Sequence, residues 1–253
     1  MVRGIQRFQE HFKDHAHQYV LIGGAACDLI MQEAALPFRG TKDLDIVLCV
    51  EVLDKAFGEA FWEFIRAGKY KVQQRSSGEK RYYRFMDPVE DDYPWMLELF
   101  SRKPGAFPLA AGSHLTPIPV GEDIDSLSAI LLNDDYYHFL HLGKKMLQGV
   151  SLVGAEHLIP LKARAWLDLT ERRKKGEQVD SKSIAKHKND IFRLYRVIDP
   201  GQTINVPVAI NRDVAAFLDA MADEPVDLKN LGIPTTNSAH VIAELRRFYS
   251  FVA

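Results

Sequence analysis

Through the first part of the chain, apolar residues arrive in short runs closed by glycine, proline or charged clusters. That rhythm predicts strands alternating with amphipathic helices. Strands are expected at 19–22, 44–50, 70–74, 81–86 and 95–100, with helices at 25–35 and 53–66. Pro37 closes the first of these helices, because proline disfavours helical geometry in the residue ahead of it. The stretch 101–125 is rich in proline and glycine and reads as loop with a short strand at 116–120. Runs at 127–132 and 136–140 flank Asn133-Asp134-Asp135 as an expected hairpin. Beyond Val153 the spacing becomes helical, at 155–171, 183–198, 213–221 and 238–251. The expectation is an α/β (α+β) fold, with a mixed sheet and flanking helices over 1–150 and a mostly helical half over 151–253.

Composition narrows the functional classes. The 253 residues are 47% hydrophobic and 26% charged, with a formal net charge of −2. Without a basic excess, any nucleic-acid contact must come from a local patch. Cys27 and Cys49 stand in apolar surroundings without metal-ligand spacing and read as buried thiols of a reducing compartment. The first residues are polar and helical, and no window approaches the run of about 20 apolar residues that a membrane span requires. A cytoplasmic location is therefore expected.

The candidate chemistry lies between Val20 and Val50. A strand runs into Gly23-Gly24, which opens a helix. Glycines allow a ligand close to the backbone, and the helix start offers unpaired N–H groups with partial positive charge, a seat for phosphate. Strand-Gly-Gly-helix junctions are also common without function. Asp43-Leu44-Asp45 follows, leading into Ile46-Val47-Leu48. Alternate strand residues share a face, so both carboxylates project together, roughly 7 Å apart at Cα. Two carboxylates on a buried face repel and are costly to desolvate unless a cation joins them, and Mg²⁺ (or Mn²⁺) suits oxygen ligands of this kind. The plain alternative is a strand end whose acids meet solvent. Glu98 sits inside the apolar run Trp95-Met96-Leu97-Glu98-Leu99-Phe100, costly to bury without a partner. Beside the Asp43 strand it would complete a three-acid cluster and could act as general base; on an edge strand it would be an exposed residue.

Taken together, Gly23-Gly24, Arg39-x-Thr41-x-Asp43-x-Asp45 and the strand acid Glu98 resemble the nucleotidyltransferase superfamily. More narrowly, they are similar to the AbiEii/AbiGii-type toxins, the toxin halves of bacterial toxin–antitoxin pairs. The resemblance implies a nucleotidyltransferase-like mixed sheet in which Gly23 and Gly24 seat an NTP. Asp43 and Asp45 hold the metal, Asp43, Asp45 and Glu98 form the catalytic set, and Arg39 and Thr41 support or contact the phosphates. It extends to Leu158-Ile159-Pro160-Leu161-Lys162-Ala163, which implies a triphosphate role for Lys162, and to Lys188-Asn189-Asp190, where Asp190 fits the nucleotide-binding pattern. Arg193 stands where that pattern usually has a second aspartate. The likeness covers about residues 18–198.

The implied activity is transfer of a nucleoside monophosphate from an NTP to an acceptor, such as tRNA or another RNA, with a cognate antitoxin as partner. An antibiotic-type small-molecule transferase and a non-catalytic nucleotide-binding module are the alternatives. Other signals are weaker. His11, His15, His17, His138 and His141 lack an acid or cysteine in ligand spacing. The run from Arg75 to Arg84 mixes cations with aromatics and is the candidate RNA-facing patch, with a solvated hairpin rim as its plain reading. A helical lysine such as Lys162 is ordinarily a snorkelling surface residue, a preference that the motif context reverses, and Arg172 to Lys175 could steer an acidic substrate or be the routine charge of a helix C-terminus.

Overall fold

A computed structural model describes residues 2–49, 51–72, 82–100, 133–199, 201–234 and 236–249. The strand expected at 116–120, the segment 127–132 and most of the run 75–84 lie outside the described residues. The chain divides into two compact units: Met1–Glu33, Arg39–Val120 and Lys144–Val153 form the first, and Ala34–Phe38, Gly121–Gly143 and Gly154–Ala253 the second. Residues 134–142 thus belong with the helical unit and 144–153 with the sheet, an interleaving that one boundary near residue 150 does not capture. Among the described residues no helix is long and apolar enough to cross a membrane.

The first unit is built on a seven-stranded mixed sheet. Its strands are β1 (Tyr19–Ile22), β2 (Asp43–Leu48), β3 (Lys71–Val72), β4 (Tyr82–Met86), β5 (Met96–Phe100), β6 (Lys144–Leu147) and β7 (Val150–Val153). They lie in the order β3-β4-β5-β2-β1-β7-β6. β2 runs parallel to β5 and antiparallel to β1, while β4 returns antiparallel on β5. β6 and β7, which the apolar pattern did not announce, form a hairpin with Leu147 opposite Val150. Its two loop residues, Gln148 and Gly149, have φ of 49° and 81°. Positive φ at both positions is the tight-hairpin geometry that matches strand twist.

Strand alternation divides the central strands cleanly. Leu44, Ile46, Leu97, Leu99 and Phe85 are at most 1% exposed and share one face by register. That face is closed by aromatic residues of α1 (Ile5–His11), α3 (Lys55–Ala67) and the turn after α1. Phe61 and Trp62 meet Phe85 with ring centroids 5.4 and 5.8 Å apart. Phe12 is fully buried and touches the rings of Phe8, Tyr19, Phe57, Phe61 and Phe64. Asp54 caps α3 by accepting from the Phe57 N–H at 2.8 Å. The opposite face carries Asp43, Asp45, Arg84 and Glu98. α2 (Gly23–Glu33) starts directly at the end of β1.

The second unit is helical: α4 (Asp134–Leu142), α5 (Ala155–Lys174), α6 (Ser181–Leu194), α7 (Val208–Ala220) and α8 (Ser238–Phe248). The hairpin expected around Asn133 is replaced by α4, and the local chemistry explains why. The Asn133 side chain accepts from the N–H groups of Asp135 and Tyr136, and two acids follow in the first turn. Buried Tyr136, Tyr137, Phe139 and Leu140 then recur at helical rather than alternating spacing. Asp180 and Asn237 cap α6 and α8 in the same way. Trp166 packs edge-on against Phe217, and the Asn211 amide donates to the Tyr249 carbonyl at 2.6 Å.

Because Phe12 is fully buried among the rings of Phe8, Tyr19, Phe57, Phe61 and Phe64, Phe12→Ala should cost about 3–5 kcal/mol of stability. Urea denaturation measures this; a midpoint equal to that of wild type would show that Phe12 is not packed in the folded unit.

Candidate active site

Parallel pairing of β2 with β5 places Asp45 directly beside Glu98, and antiparallel pairing of β4 with β5 places Arg84 directly beside Glu98. Ile22 adjoins Asp45 from the other side. A transverse row, Arg84–Glu98–Asp45–Ile22, therefore crosses four adjacent strands and ends at the diglycine turn. Asp43 shares the face of Asp45 one pleat away, and both are partly exposed. Glu98 is only 4% exposed.

The charges in this row are unequal. Arg84 Nε donates to Glu98 Oε1 at 2.7 Å, and Nη2 lies 2.6 Å from the same oxygen as an ion pair. Burial is the main force holding the Glu98 carboxyl well above the usual carboxylate range. The charge of Asp45 and a hydrogen bond with it push the same way, and Arg84 pulls against them. Glu98 thus sits between an acid neighbour, Asp45, and a cation, Arg84, at the outer end of the row.

The turn on the inner end closes the site. Gly23 has a φ of +66°, and a side chain there would overlap Asp45 Oδ2. A Cβ on Gly24 would lie 2.8 Å from Thr41 Oγ1 and 3.2 Å from Arg39 Nη2. The backbone of the α2 start therefore abuts Asp45, Thr41 and Arg39, and only glycine allows the approach at Gly23. The first N–H groups of a helix have no partner within it and favour anionic groups. Gly23, Gly24, Arg39, Thr41, Asp45 and Glu98 thus converge within the first unit, with Asp43 beside them on the strand.

Lys162 and Asp190 lie together in the second unit. Lys162 Nζ donates to Asp190 Oδ2 at 2.9 Å, and their side chains are 5% and 0% exposed. The surface-snorkelling reading of Lys162 is therefore replaced by a buried ion pair. Arg193, at the position that departs from the resembled pattern, is 3.4 Å from Asp190 Oδ1 and lies over the Phe38 ring. A basic residue there supplies a second cation to Asp190.

Asp43 and Asp45 are the residues present that would hold a divalent cation such as Mg²⁺. Asp43 and Asp45 offer two carboxylates on one face, and Mg²⁺ completes its shell with water and phosphate oxygens. Among the described residues no group of three or more His, Cys, Asp or Glu side chains is arranged to hold a metal ion. The protein would contribute Asp43 and Asp45 alone, with Glu98 turned to Arg84. Arg84 is the residue that the sequence alone does not single out: it lies within the cationic and aromatic run 75–84, and its guanidinium is paired with the strand acid Glu98. A lone cation inside an aromatic strand run was the available signal. Cys27 and Cys49 are buried thiols, as expected, and are not joined in a disulfide.

No protein-family model matches the chain, and no curated protein matches it. Among solved structures it is similar to an antigenic nucleotidyltransferase-like protein from Paracoccidioides brasiliensis, with 15% identity, 93% of each chain covered and a TM-score of 0.45. It is also similar to the antibiotic-resistance factor ANT(2'')-Ia, with 11% identity, 87% of this chain and 95% of the other covered, and a TM-score of 0.37. The functional reading below stands on the geometry of the row and the turn.

Two outcomes follow from that geometry. A carboxyl held above its ordinary value binds its proton more tightly in the folded state. The stability it contributes is complete at pH below the ordinary carboxylate range and is lost as pH rises through the higher folded value. In chelator-treated protein, thermal unfolding of Glu98→Gln should therefore lose less stability with rising pH than wild type; parallel pH profiles would contradict the buried like-charged pair. Gly23→Ala should cost about 1–2 kcal/mol from the left-handed backbone alone, with displacement of Asp45 added. An alanine variant as stable as wild type would show that the turn is not pressed against the strand.

Proposed function

We propose that this chain is a metal-dependent nucleotidyltransferase that moves a nucleoside monophosphate from an NTP to an acceptor. The observation that carries the reading is the convergence of the Gly23-Gly24 helix start on Asp45, with Arg39 and Thr41 at its other side. Nucleotidyl transfer requires little covalent help from a protein. It requires a triphosphate held in line and its charge neutralised. The N–H groups at the start of α2 would receive phosphate oxygens, Arg39 and Thr41 would bind and orient them, and Asp43 and Asp45 would hold the cation. That cation, when bound, supplies charge neutralisation on the triphosphate and its pyrophosphate leaving group. The ion pair with Arg84 and near-complete burial favour a positioning role for Glu98, fixing Asp45, over the general-base role that the sequence suggested.

The triphosphate role of Lys162 and the nucleotide-binding role of Asp190 rest on the resemblance; their mutual ion pair accounts for their burial. The acceptor is proposed to be RNA, such as a tRNA, on the strength of the cationic and aromatic residues between Arg75 and Tyr83. Service as a toxin with a cognate antitoxin, and a cytoplasmic location, follow from the family resemblance and the composition.

The test is to incubate the protein and Mg²⁺ with each α-labelled NTP in the presence of total cellular RNA, lysate protein or an aminoglycoside. Label should enter RNA, and Asp45→Asn should lower transfer by on the order of 100-fold or more while thermal unfolding stays cooperative. Label on the aminoglycoside instead would make this a small-molecule transferase. Tight NTP binding with no labelled acceptor would make it a binding module, and undiminished transfer by Asp45→Asn would reject the site.

A further inference from the structure

We infer that Asp28 positions Arg39, holding its guanidinium at the start of α2, so that Asp28 sets the affinity for a triphosphate without touching it. The inference rests on the nucleotidyl-transfer reading, which gives Arg39 a phosphate to bind, and adds a residue that this reading leaves out.

Buried acids are rare because charge is costly to remove from water. Among the described residues they are Asp28, Glu98 and Asp190. Arg84 answers Glu98, and Lys162 and Arg193 answer Asp190. Asp28 is 5% exposed and accepts from the Gln32 amide at 2.6 Å. That donor is neutral, so it orients the carboxylate without balancing its charge.

Helix geometry gives the direction in which the carboxylate faces. In α2, Gly24, Asp28 and Gln32 follow at intervals of four and share a face. The intervening residues from Ala25 to Met31 are apolar and buried. Helical side chains lean toward the helix N-terminus, so the Asp28 carboxyl lies back over the turn that Gly24 occupies. Glycine leaves that turn uncovered, and Arg39 lies against it: a Cβ on Gly24 would be 3.2 Å from Arg39 Nη2. Asp28 thus leans toward the guanidinium that reaches α2 from outside the helix.

Arg39 has use for such a hold. Residues 36–42 form neither helix nor strand, so no backbone ladder steadies this arginine. Ordering a long side chain only when a ligand arrives would weaken binding. A carboxylate suits the planar guanidinium fork because it accepts two parallel N–H bonds. Charge alone acts in the opposite sense, since a carboxylate close to a phosphate seat repels phosphate. Removing Asp28 would therefore strengthen triphosphate binding were it only a buried charge, and weaken it if Asp28 holds Arg39.

The test is isothermal titration of the full chain and Mg²⁺ with ATP, GTP, CTP and UTP in turn, with thermal unfolding recorded for each variant. Asp28→Asn should bind the NTP that wild type binds about tenfold more weakly, the size expected when a partner that orients a ligand group is lost. Arg39→Gln should lose at least as much. The double variant should lose no more than Arg39→Gln alone, because residues acting through one contact are not additive. Gln32→Met, which removes only the amide donor, should weaken binding about threefold, with no further loss in the Arg39→Gln background. It keeps the inference testable should Asp28→Asn fail to fold. Unchanged or tighter binding in folded Asp28→Asn, or in Gln32→Met where Asp28→Asn does not fold, would overturn the inference. Losses that add in the double variant would overturn it too, and in either case weaker binding by Arg39→Gln leaves the nucleotidyl-transfer reading intact. No NTP bound by wild type would instead remove that reading, and the inference with it.

Discussion

Two carboxylates held side by side by strand register are the constraint around which the first unit is organised. Asp45 and Glu98 are paired residues of parallel neighbours, so their Cα atoms stay side by side unless β2–β5 pairing slips. A slip of one residue would expose Leu44, Ile46, Leu97 and Leu99 and bury the acids among the aromatic rings. Hydrophobic burial on one face of the sheet therefore enforces electrostatic repulsion on the other. The repulsion is tolerable because Arg84 is fixed at the outer end of the row and because the inner end opens toward the partly exposed Asp43 and the α2 start.

That inner end shows how backbone and side-chain chemistry combine. Gly23 ends β1 with a left-handed backbone and begins α2 in the same step, bringing helix N–H groups to the acid face. Any larger residue would contend with Asp45 for the same space. Helix N–H groups attract anions, and paired carboxylates attract cations. A magnesium–triphosphate complex carries both kinds of group, and this juxtaposition is what the proposed function draws on.

In the second unit buried charge is settled differently. Lys162, Asp190 and Arg193 form a compact network in which one carboxylate meets two cations. Both lysine and aspartate are almost wholly removed from water, so each is tolerable largely because of the other. Around them the helices are bounded by polar caps at Asn133, Asp180 and Asn237, and their contacts are aromatic and aliphatic.

Local chemistry was legible in the sequence. The strands at 19–22, 81–86 and 95–100, the glycine turn, the alternation of Asp43 and Asp45, and the helices of the second half all follow from periodicity and turn residues over a few positions. Elsewhere local signals conflict: Asn133-Asp134-Asp135 serves as a helix cap as readily as a turn, and the short β6–β7 hairpin has only Gln148-Gly149 as its mark. Non-local pairing was not legible, because a strand's pattern says which face is buried but not which strand lies beside it. That Glu98 adjoins Asp45, that Arg84 grips Glu98 rather than facing RNA, and that Lys162 is paired with Asp190 are outcomes of register and packing between residues far apart in the chain. The residue types fixed what each group can do chemically; only the tertiary structure decided which groups meet.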